Sequence, residues 1–220
     1  MRTVVVTGGK RGIGAAISAA FAGDHVIALG SADMDVTDEA AVASVLGELE
    51  VDVLVNNAGV SSSAPVHKTT LDEWERQIRV NATGAFLCTR AVLPGMRARD
   101  RGRIVTVASA ASVHGSRYTS GYTASKHAVL GFTRALAAEL AGTGITANCV
   151  CPAYVRSDMT DTTIANIAAR TGKDGEAALV AMSPLGRLIE PEEVAFAVRF
   201  LAAEEAGAIN GESLLMGAQG

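Results

Sequence analysis

The sequence predicts an α/β fold over residues 1–220: a single domain built on a doubly wound parallel sheet with helices on both faces. Three features carry that prediction. Short β-branched runs alternate with longer Ala-rich stretches, the pattern of strands buried on both faces and joined by crossover helices. A glycine-rich turn follows the first run directly. Small and polar residues close the later runs, where an open α/β sheet keeps its ligand crevice.

The elements follow in order. Residues 3–7 form a short buried strand, and Thr7-Gly8-Gly9-Lys10-Arg11-Gly12-Ile13-Gly14 leads from it into an Ala-rich helix running to about Gly23. Strand, glycine turn and helix together can hold a dinucleotide pyrophosphate. The glycines let the backbone approach, and the helix N-terminus offers free N–H groups. A plain tight strand-to-helix turn is the alternative. Residues 25–29 are a second strand that ends in Gly30-Ser31, with no carboxylate placed for a ribose 2′-hydroxyl. Lys10 and Arg11 are then available to a 2′-phosphate, which favours NADP, with NAD possible.

Asp33-Met34-Asp35-Val36 comes too soon afterwards. A parallel crossover needs about a dozen residues, so a third strand in that region and its preceding helix are expected to be truncated, leaving six strong strands. Thr37 or Asp38 caps a helix running to about Leu49. Residues 51–55 form a strand ending in Asn56-Asn57-Ala58-Gly59. Residues 71–96 read as one long helix with Asn81 in its interior, where a buried amide must find partners. Residues 104–108 are a strand with Ser109 at its carboxyl end, and residues 145–150 are the next, ending at Cys151-Pro152-Ala153.

Between those two strands, Gly121-Tyr122-Thr123-Ala124-Ser125-Lys126 opens a helix over 123–140. Tyr122 and Lys126 stand four apart and share a helix face. A phenol has a reference pKa of about 10, and a nearby ammonium lowers it towards working pH. The pair is a candidate acid/base device. Residues 158–184 read as a lid whose apolar residues Met159, Ile164, Ile167, Leu179 and Met182 serve either core packing or substrate contact.

Composition narrows the function. Hydrophobic residues make up 49% and aromatics 4%, which suits a core of Ala, Val, Leu and Ile. A net charge of −4, without a long basic run, gives no electrostatic footprint for nucleic acid or an anionic membrane. Cys88, Cys149 and Cys151 lack metal-ligand spacing and read as small buried hydrophobes in a reducing compartment. No metal is expected. The chain shows neither a signal-peptide pattern nor an apolar run of bilayer length, so a cytoplasmic location is expected.

These motifs, in this order, resemble the short-chain dehydrogenase/reductase family over essentially the whole chain. The thirteen-residue step from Ser109 to Tyr122 matches that family, as do Gly186-Arg187, Pro191-Glu192-Glu193-Val194 and Asn210-Gly211. The resemblance implies a Rossmann-like fold and an NAD(P)-dependent oxidoreductase with Asn81, Ser109, Tyr122 and Lys126 as its catalytic set. It makes Tyr122 the proton donor or acceptor, Lys126 its electrostatic partner and a ligand of the nicotinamide ribose, Ser109 a donor to the substrate oxygen, and Asn81 the holder of a relay water.

For the cofactor it implies Gly8, Lys10, Arg11, Gly12, Ile13, Gly14 and Ser31 around the phosphates and ribose. Asp35 and Val36 would flank the adenine, and Asn57, Ala58 and Gly59 the adenosine side. Pro152, Val155 and Ser157 would stand by the nicotinamide amide, with Tyr122 and Lys126. Three departures stand out. Pro152-Ala153 replaces Pro-Gly, so that turn must avoid positive φ; Ser157 replaces a commoner Thr; and Met216 to Gly220 replaces an Asp-Gly-Gly ending.

Residues 131–160 look most like ketoreductases of fatty-acid and polyketide synthesis, which implies interconversion of a ketone and a secondary alcohol, a 3-oxoacyl thioester leading. A dehydrogenase of a secondary alcohol, sterol or dihydrodiol is the alternative, and a non-catalytic nucleotide sensor on the same fold is a third reading. The helices over 71–96 and 123–140 are apolar on more than one face, and a homotetramer, or a homodimer, is expected.

Overall fold

The computed structural model describes residues 1–218; Gln219 and Gly220, and with them the end of the divergent C-terminal segment, lie outside the described residues. Its sheet has six strands: β1 (Thr3–Thr7), β2 (His25–Leu29), β3 (Val53–Asn56), β4 (Gly102–Val107), β5 (Ile145–Pro152) and β6 (Ser213–Met216). All five pairings are parallel, in the order β2-β1-β3-β4-β5-β6.

Period-two alternation sends successive strand residues to opposite layers. On one face, Val4, Val6, Val53, Val55 and Val105 pack with Ile17 and Phe21 from α1 (Gly12–Ala20) and its end, and with Val194, Val198 and Leu201 of α8 (Pro191–Leu201). On the other, Val5, Leu54, Ile104 and Ala147 meet α2 (Glu39–Leu46), α4 (Gly84–Ala98) and α5 (Ser120–Glu139) through Leu46, Met96 and Leu136. The layers leave the carboxyl ends of the strands facing one crevice. The chain runs outward from β1 to β2 on one side and to β3 on the other, the switch point at which such sheets bind ligands.

The expected truncation is present. Among the described residues no strand lies outside β2, because the chain from Gly30 to Asp38 is too short to cross the sheet and return. Met34, 3% exposed, anchors this connection by packing with Val42 and Leu46. Asp38, one of the two candidate caps, receives the amides of Ala40 and Ala41 at 2.9 and 3.1 Å and starts α2.

One element differs. The expected helix over 71–96 is divided into α3 (Leu71–Ile78), a π-helical turn at Arg79–Thr83, and α4. Asn81 sits in that wider turn, where its side chain answers to neighbouring elements rather than to its own helix. The lid region contains α6 (Asp158–Thr171) and α7 (Gly175–Met182), packed closely enough that a Cβ on Gly175 would meet the Ile164 carbonyl at 2.3 Å.

Asn210 fastens the last crossover. It accepts from the Ala147 amide at 3.0 Å and donates to the Ala137 carbonyl at 2.9 Å, joining β5 to α5. Asn210→Ala removes both bonds and should cost about 2 kcal/mol, a fall of about 4–8 °C in Tm by thermal unfolding. An unchanged Tm would show that water replaces both bonds without loss.

Candidate active site

The glycine turn is built by contacts that leave no room for side chains. Gly8 and Gly12 have φ of +63° and +50°, a region that favours glycine. A Cβ on Gly14 would stand 2.1 Å from the Gly8 carbonyl oxygen, so α1 starts against the turn itself. Thr7 and Asn57 tie the turn to the end of β3. The Thr7 hydroxyl accepts from the amides of Asn57 and Ala58, both at 3.0 Å, while Asn57 donates to the carbonyls of Thr7 and Gly8 at 3.0 and 3.2 Å. Arg11, the N-cap of α1, makes no side-chain cap, so the first amides of the helix are left for a ligand. A glycine cradle with uncapped amides at its rim fits a dinucleotide pyrophosphate.

A cleft of about 2400 Å³ runs along the strand ends. Its lining includes every predicted cofactor residue: Gly8, Lys10, Arg11, Gly12, Ile13, Gly14, Ser31, Asp35, Val36, Asn57, Ala58, Gly59, Pro152, Val155 and Ser157, with Tyr122 and Lys126. Asp35 spends one carboxylate oxygen on the Thr37 amide and hydroxyl, both at 2.8 Å, and those bonds hold its pKa below the usual carboxylate value. Val36 packs over Gly84, where an added Cβ would lie 2.7 Å from its methyl. Ala153 adopts no positive φ, as the missing glycine required. Ser157 caps α6, and its Cβ stands 3.9 Å from the Cβ position of Gly12, so the lid begins beside the glycine turn.

The end of β2 is corrected. A carboxylate does stand there: Asp33, three residues into the short connection, accepts the Gly30 amide at 2.7 Å and pairs with the Lys10 ammonium at 2.6 Å. Lys10, expected to be available to a 2′-phosphate, is thus paired with Asp33. Arg11 is largely exposed and only loosely paired, 3.6 Å from Asp158.

Beyond the end of β4, Ser109, Tyr122 and Lys126 line one wall of the same cleft. Ser109 follows β4 with its hydroxyl accepting the Ala111 amide at 3.1 Å. Tyr122 lies in the first turn of α5, and Lys126, 5% exposed, donates to the Val107 carbonyl at 2.9 Å. Burial lowers the Lys126 pKa from 10.5 to about 8. Burial also raises the Tyr122 phenol, with a hydrogen bond from Ser109 opposing it. The expected lowering of Tyr122 by Lys126 does not prevail: the ammonium is 5.9 Å from the ring centroid, directed at a backbone carbonyl.

Asn81 stands behind this wall. It accepts the Val60 amide at 2.8 Å, donates to the Val60 carbonyl at 2.9 Å, and donates to Ser125 Oγ at 2.8 Å. Ser125 in turn donates to the Tyr122 carbonyl at 2.7 Å. A Cβ on Gly59 would lie 3.3 Å from Asn81 Oδ1 and 3.7 Å from Lys126 Nζ, so these two groups face each other across Gly59.

Sequence reasoning missed several supporting residues. Ser125 lies within the Gly121 to Lys126 motif, where spacing alone gives it no role. Gln77, 1% exposed, exchanges hydrogen bonds with Ser62 at the cleft, and its charged neighbours Arg76 and Arg79 give no sign of that burial in the sequence. Tyr118 lines the cleft mouth with φ of +68°, unusual for a non-glycine residue. Burial pushes the Cys88 and Cys151 thiols up to about 12, in keeping with inert core cysteines. Among the described residues no His, Cys, Asp and Glu cluster could hold a metal.

The chain is similar to known proteins over nearly its whole length. The family model described as enoyl-(acyl carrier protein) reductase matches residues 16–218. An acetoacetyl-CoA reductase of Shinella zoogloeoides is 40% identical over 97% of this chain and 95% of its own. The 3-oxoacyl-(acyl-carrier-protein) reductase of Escherichia coli is 34% identical over 97% and 94%. The solved structure of a variant actinorhodin polyketide ketoreductase with NADPH superimposes with a TM-score of 0.91 at 30% identity, covering 98% of this chain and 96% of that one. Fold and site together define an oxidoreductase that acts on CH–OH groups. The chain belongs to the short-chain dehydrogenase/reductase family.

The buried lysine has a consequence for stability. Its folded pKa of about 8 lies below its ordinary 10.5, so between those values the unfolded chain binds more protons. Stability from this group therefore rises with pH across that window and is lost as pH falls through it. Lys126→Met should be more stable than the parent near pH 7, with the gain shrinking from about pH 8 upwards, read by denaturant unfolding at several pH values. A constant gain would refute the assignment.

Proposed function

We propose that this protein is an NADPH-dependent ketoreductase that reduces a 3-oxoacyl thioester or a similar ketone to the secondary alcohol, acting as a single domain. The observation that carries the reading is that Ser109, Tyr122 and Lys126 line the same cleft as a glycine cradle suited to a dinucleotide. The relatives named for acetoacetyl-CoA, for 3-oxoacyl-(acyl carrier protein) and for a polyketide support the substrate class, and the NADPH in the polyketide enzyme supports the cofactor.

A bound nicotinamide supplies the hydride. The residues of this chain do the rest. Gly8, Gly12, Ile13 and Gly14 would bind the pyrophosphate, with Ser31, Asp35, Val36 and Asn57 to Gly59 along the adenosine and Pro152, Val155 and Ser157 at the nicotinamide end. The Ser109 hydroxyl donates to the substrate oxygen as negative charge develops there. Tyr122 delivers the proton to that oxygen, and takes it back in the reverse direction. Lys126 holds its ammonium beside the same space, ready to bond a ribose hydroxyl, and Asn81 positions the α5 turn through Ser125 and faces Lys126 across Gly59.

The substrate end of the cleft favours an anionic carrier over a neutral sterol or simple alcohol. Lys68, Arg117 and Arg170 line it, while the acids of the lining, Asp33, Asp35 and Asp158, stand at or near the glycine turn. Arg170 donates to the Ser63 carbonyl, and the next residue, Ala64, donates to the Tyr118 carbonyl, so Arg170 and the Arg117 loop meet the same strand of loop. Phosphates on a pantetheine arm would meet positive charge there.

Assembly is part of the proposal. Phe86 of α4, 41% exposed, stacks edge-on against Phe132 of α5 at 6.0 Å, giving these helices an outward apolar face suited to pairing of copies into a homotetramer or homodimer. A cytoplasmic location goes with that reading; no helix among the described residues is long and apolar enough to cross a membrane. A monomer by light scattering at micromolar concentration would overturn the assembly.

The activity test follows loss of NADPH absorbance with acetoacetyl-CoA and with its phosphate-free N-acetylcysteamine ester. Both should be reduced, the CoA ester with the lower KM. Tyr122→Phe should leave the fold and cofactor binding intact and lower kcat by about a hundredfold to ten-thousandfold. Near-normal turnover in that variant would remove Tyr122 as the proton donor, and tight cofactor binding with no ketone or alcohol turned over would favour a nucleotide sensor.

A further inference from the structure

The one buried side chain of α3 is an amide. Of the helix's 8 residues only Gln77 is covered, at 1% exposure. Taking a side-chain amide out of water is costly unless its donors and acceptor are met, and an apolar residue would fill such a place without that demand. The partners of Gln77 belong to a single loop.

That loop runs from Gly59 to Pro65, between β3 and α3, and has no regular secondary structure. Its alternate amides are taken one after another. Val60 donates to Asn81 Oδ1 at 2.8 Å, Ser62 to Gln77 Oε1 at 3.2 Å, and Ala64 to the Tyr118 carbonyl at 2.8 Å. Gln77 also returns a bond to the same residue, its Nε2 donating to Ser62 Oγ at 3.0 Å. The Ser62 hydroxyl is in turn a partner of the Glu73 carboxylate, whose pKa is held below the usual value by Arg76 first and Ser62 second. Gln77 is thus the middle of three fastenings, and the one that grips a side chain as well as the backbone. Ser61, Ser62 and Ser63, the residues it steadies, all line the cleft.

The same amide is set against α5. A Cβ on Gly121 would stand 2.7 Å from Gln77 Nε2 and 3.5 Å from its Cδ, so the bare backbone of Gly121 faces the amide. Gly121 directly precedes Tyr122. Gln77 therefore spans two walls of the cleft, the serine loop on one side and the turn that carries Tyr122 on the other. A shift of either wall would move a bound ketone relative to the phenol, and rates are steep in such displacements.

We propose that Gln77 is a positioning residue for carbonyl reduction: it fixes the Ser61–Ser63 wall at a set distance from Tyr122, so that a bound ketone is held against its proton donor. The inference rests on the ketoreductase reading proposed above. Gln77 acts through Ser62 and Gly121, and the amide does what an apolar side chain of the same size could not, since it holds a loop whose own backbone bonds are few.

The test compares variants by steady-state kinetics with NADPH and acetoacetyl-CoA, by the Kd for NADPH and by Tm. Gln77→Met keeps the length and loses the bonds. It should lower kcat about tenfold to a hundredfold, as a small misplacement of substrate does, with the Kd for NADPH within about twofold of the parent. Gln77→Glu keeps an acceptor for the Ser62 amide and a second oxygen to which the Ser62 hydroxyl can turn and donate, so it should restore most of the lost rate. Gly121→Ala drives a methyl into the place of Nε2 while Gln77 itself is unchanged. Alanine favours the helix, so Tm should hold or rise, yet kcat should fall as in Gln77→Met, and the two substitutions together should cost no more than one alone. Normal kcat in Gln77→Met, losses that multiply in the double variant, or a fall in kcat that tracks Tm and NADPH affinity and is not relieved by glutamate would each overturn the inference and leave the ketoreductase reading in place. A parent protein that turns over neither ketone nor alcohol would overturn both.

Discussion

A parallel sheet covered by helices on both faces must bring its ligand chemistry to the ends of its strands. Within the strands, the backbone groups pair with one another and the side chains enter the two core layers. At the carboxyl edge both constraints lapse together. Thr7, Asn57, Ser109 and Pro152 all stand at or just past such ends, and each lines or braces the cleft. The glycine turn depends on the same boundary: Thr7 and Asn57 can stitch it to β3 because two parallel neighbours end side by side there.

Next to this edge the molecule tolerates groups that a core would reject. Lys126 and Asn81 are both nearly inaccessible, and burial of an ammonium is costly unless it is partnered. The partners come from different elements: a β4 carbonyl for Lys126, and a loop peptide and an α5 hydroxyl for Asn81. The π-helical turn is the backbone adjustment that lets Asn81 reach them. Ser125 joins the two systems, since it takes a bond from Asn81 and donates to the carbonyl of Tyr122, one turn before Lys126. Removing one partner leaves another buried polar group unmet, so this region is better regarded as a unit than as separate residues.

Sequence made the architecture legible where the signal was local. β-branched runs located β1 to β5 but not β6, whose Ser213-Leu214-Leu215-Met216 carries no such run; Gly8 to Gly14 located the first turn, and the four-residue step from Tyr122 to Lys126 put both on one face of α5. Even the missing strand could be read, because it follows from counting residues between Leu29 and Asp35. The rest depends on tertiary contact. Nothing in the order of residues says that the Asp33 carboxylate turns back onto Gly30 and takes Lys10, twenty-three positions away. The partners of Asn81 lie twenty-one and forty-four residues distant, and the π-helical turn is a response to them. The Tyr122 phenol departs from the expected direction for a like reason: spacing shows that an ammonium is near but not which way it points.

β2 is an outer strand, and its burial pattern is the most open of the first five: exposed at His25, half-buried from Val26 to Ala28, and covered at Leu29, whereas β3 and β5 are buried throughout. One neighbour, β1, holds it through five residue pairs. An edge strand of this kind opens more readily than the central strands. A ligand that spans from the glycine turn to Gly30 bridges this edge strand and its single neighbour. Its binding free energy then appears also as resistance to unfolding, by mass action, and occupancy of the cleft is coupled to the integrity of this border of the sheet.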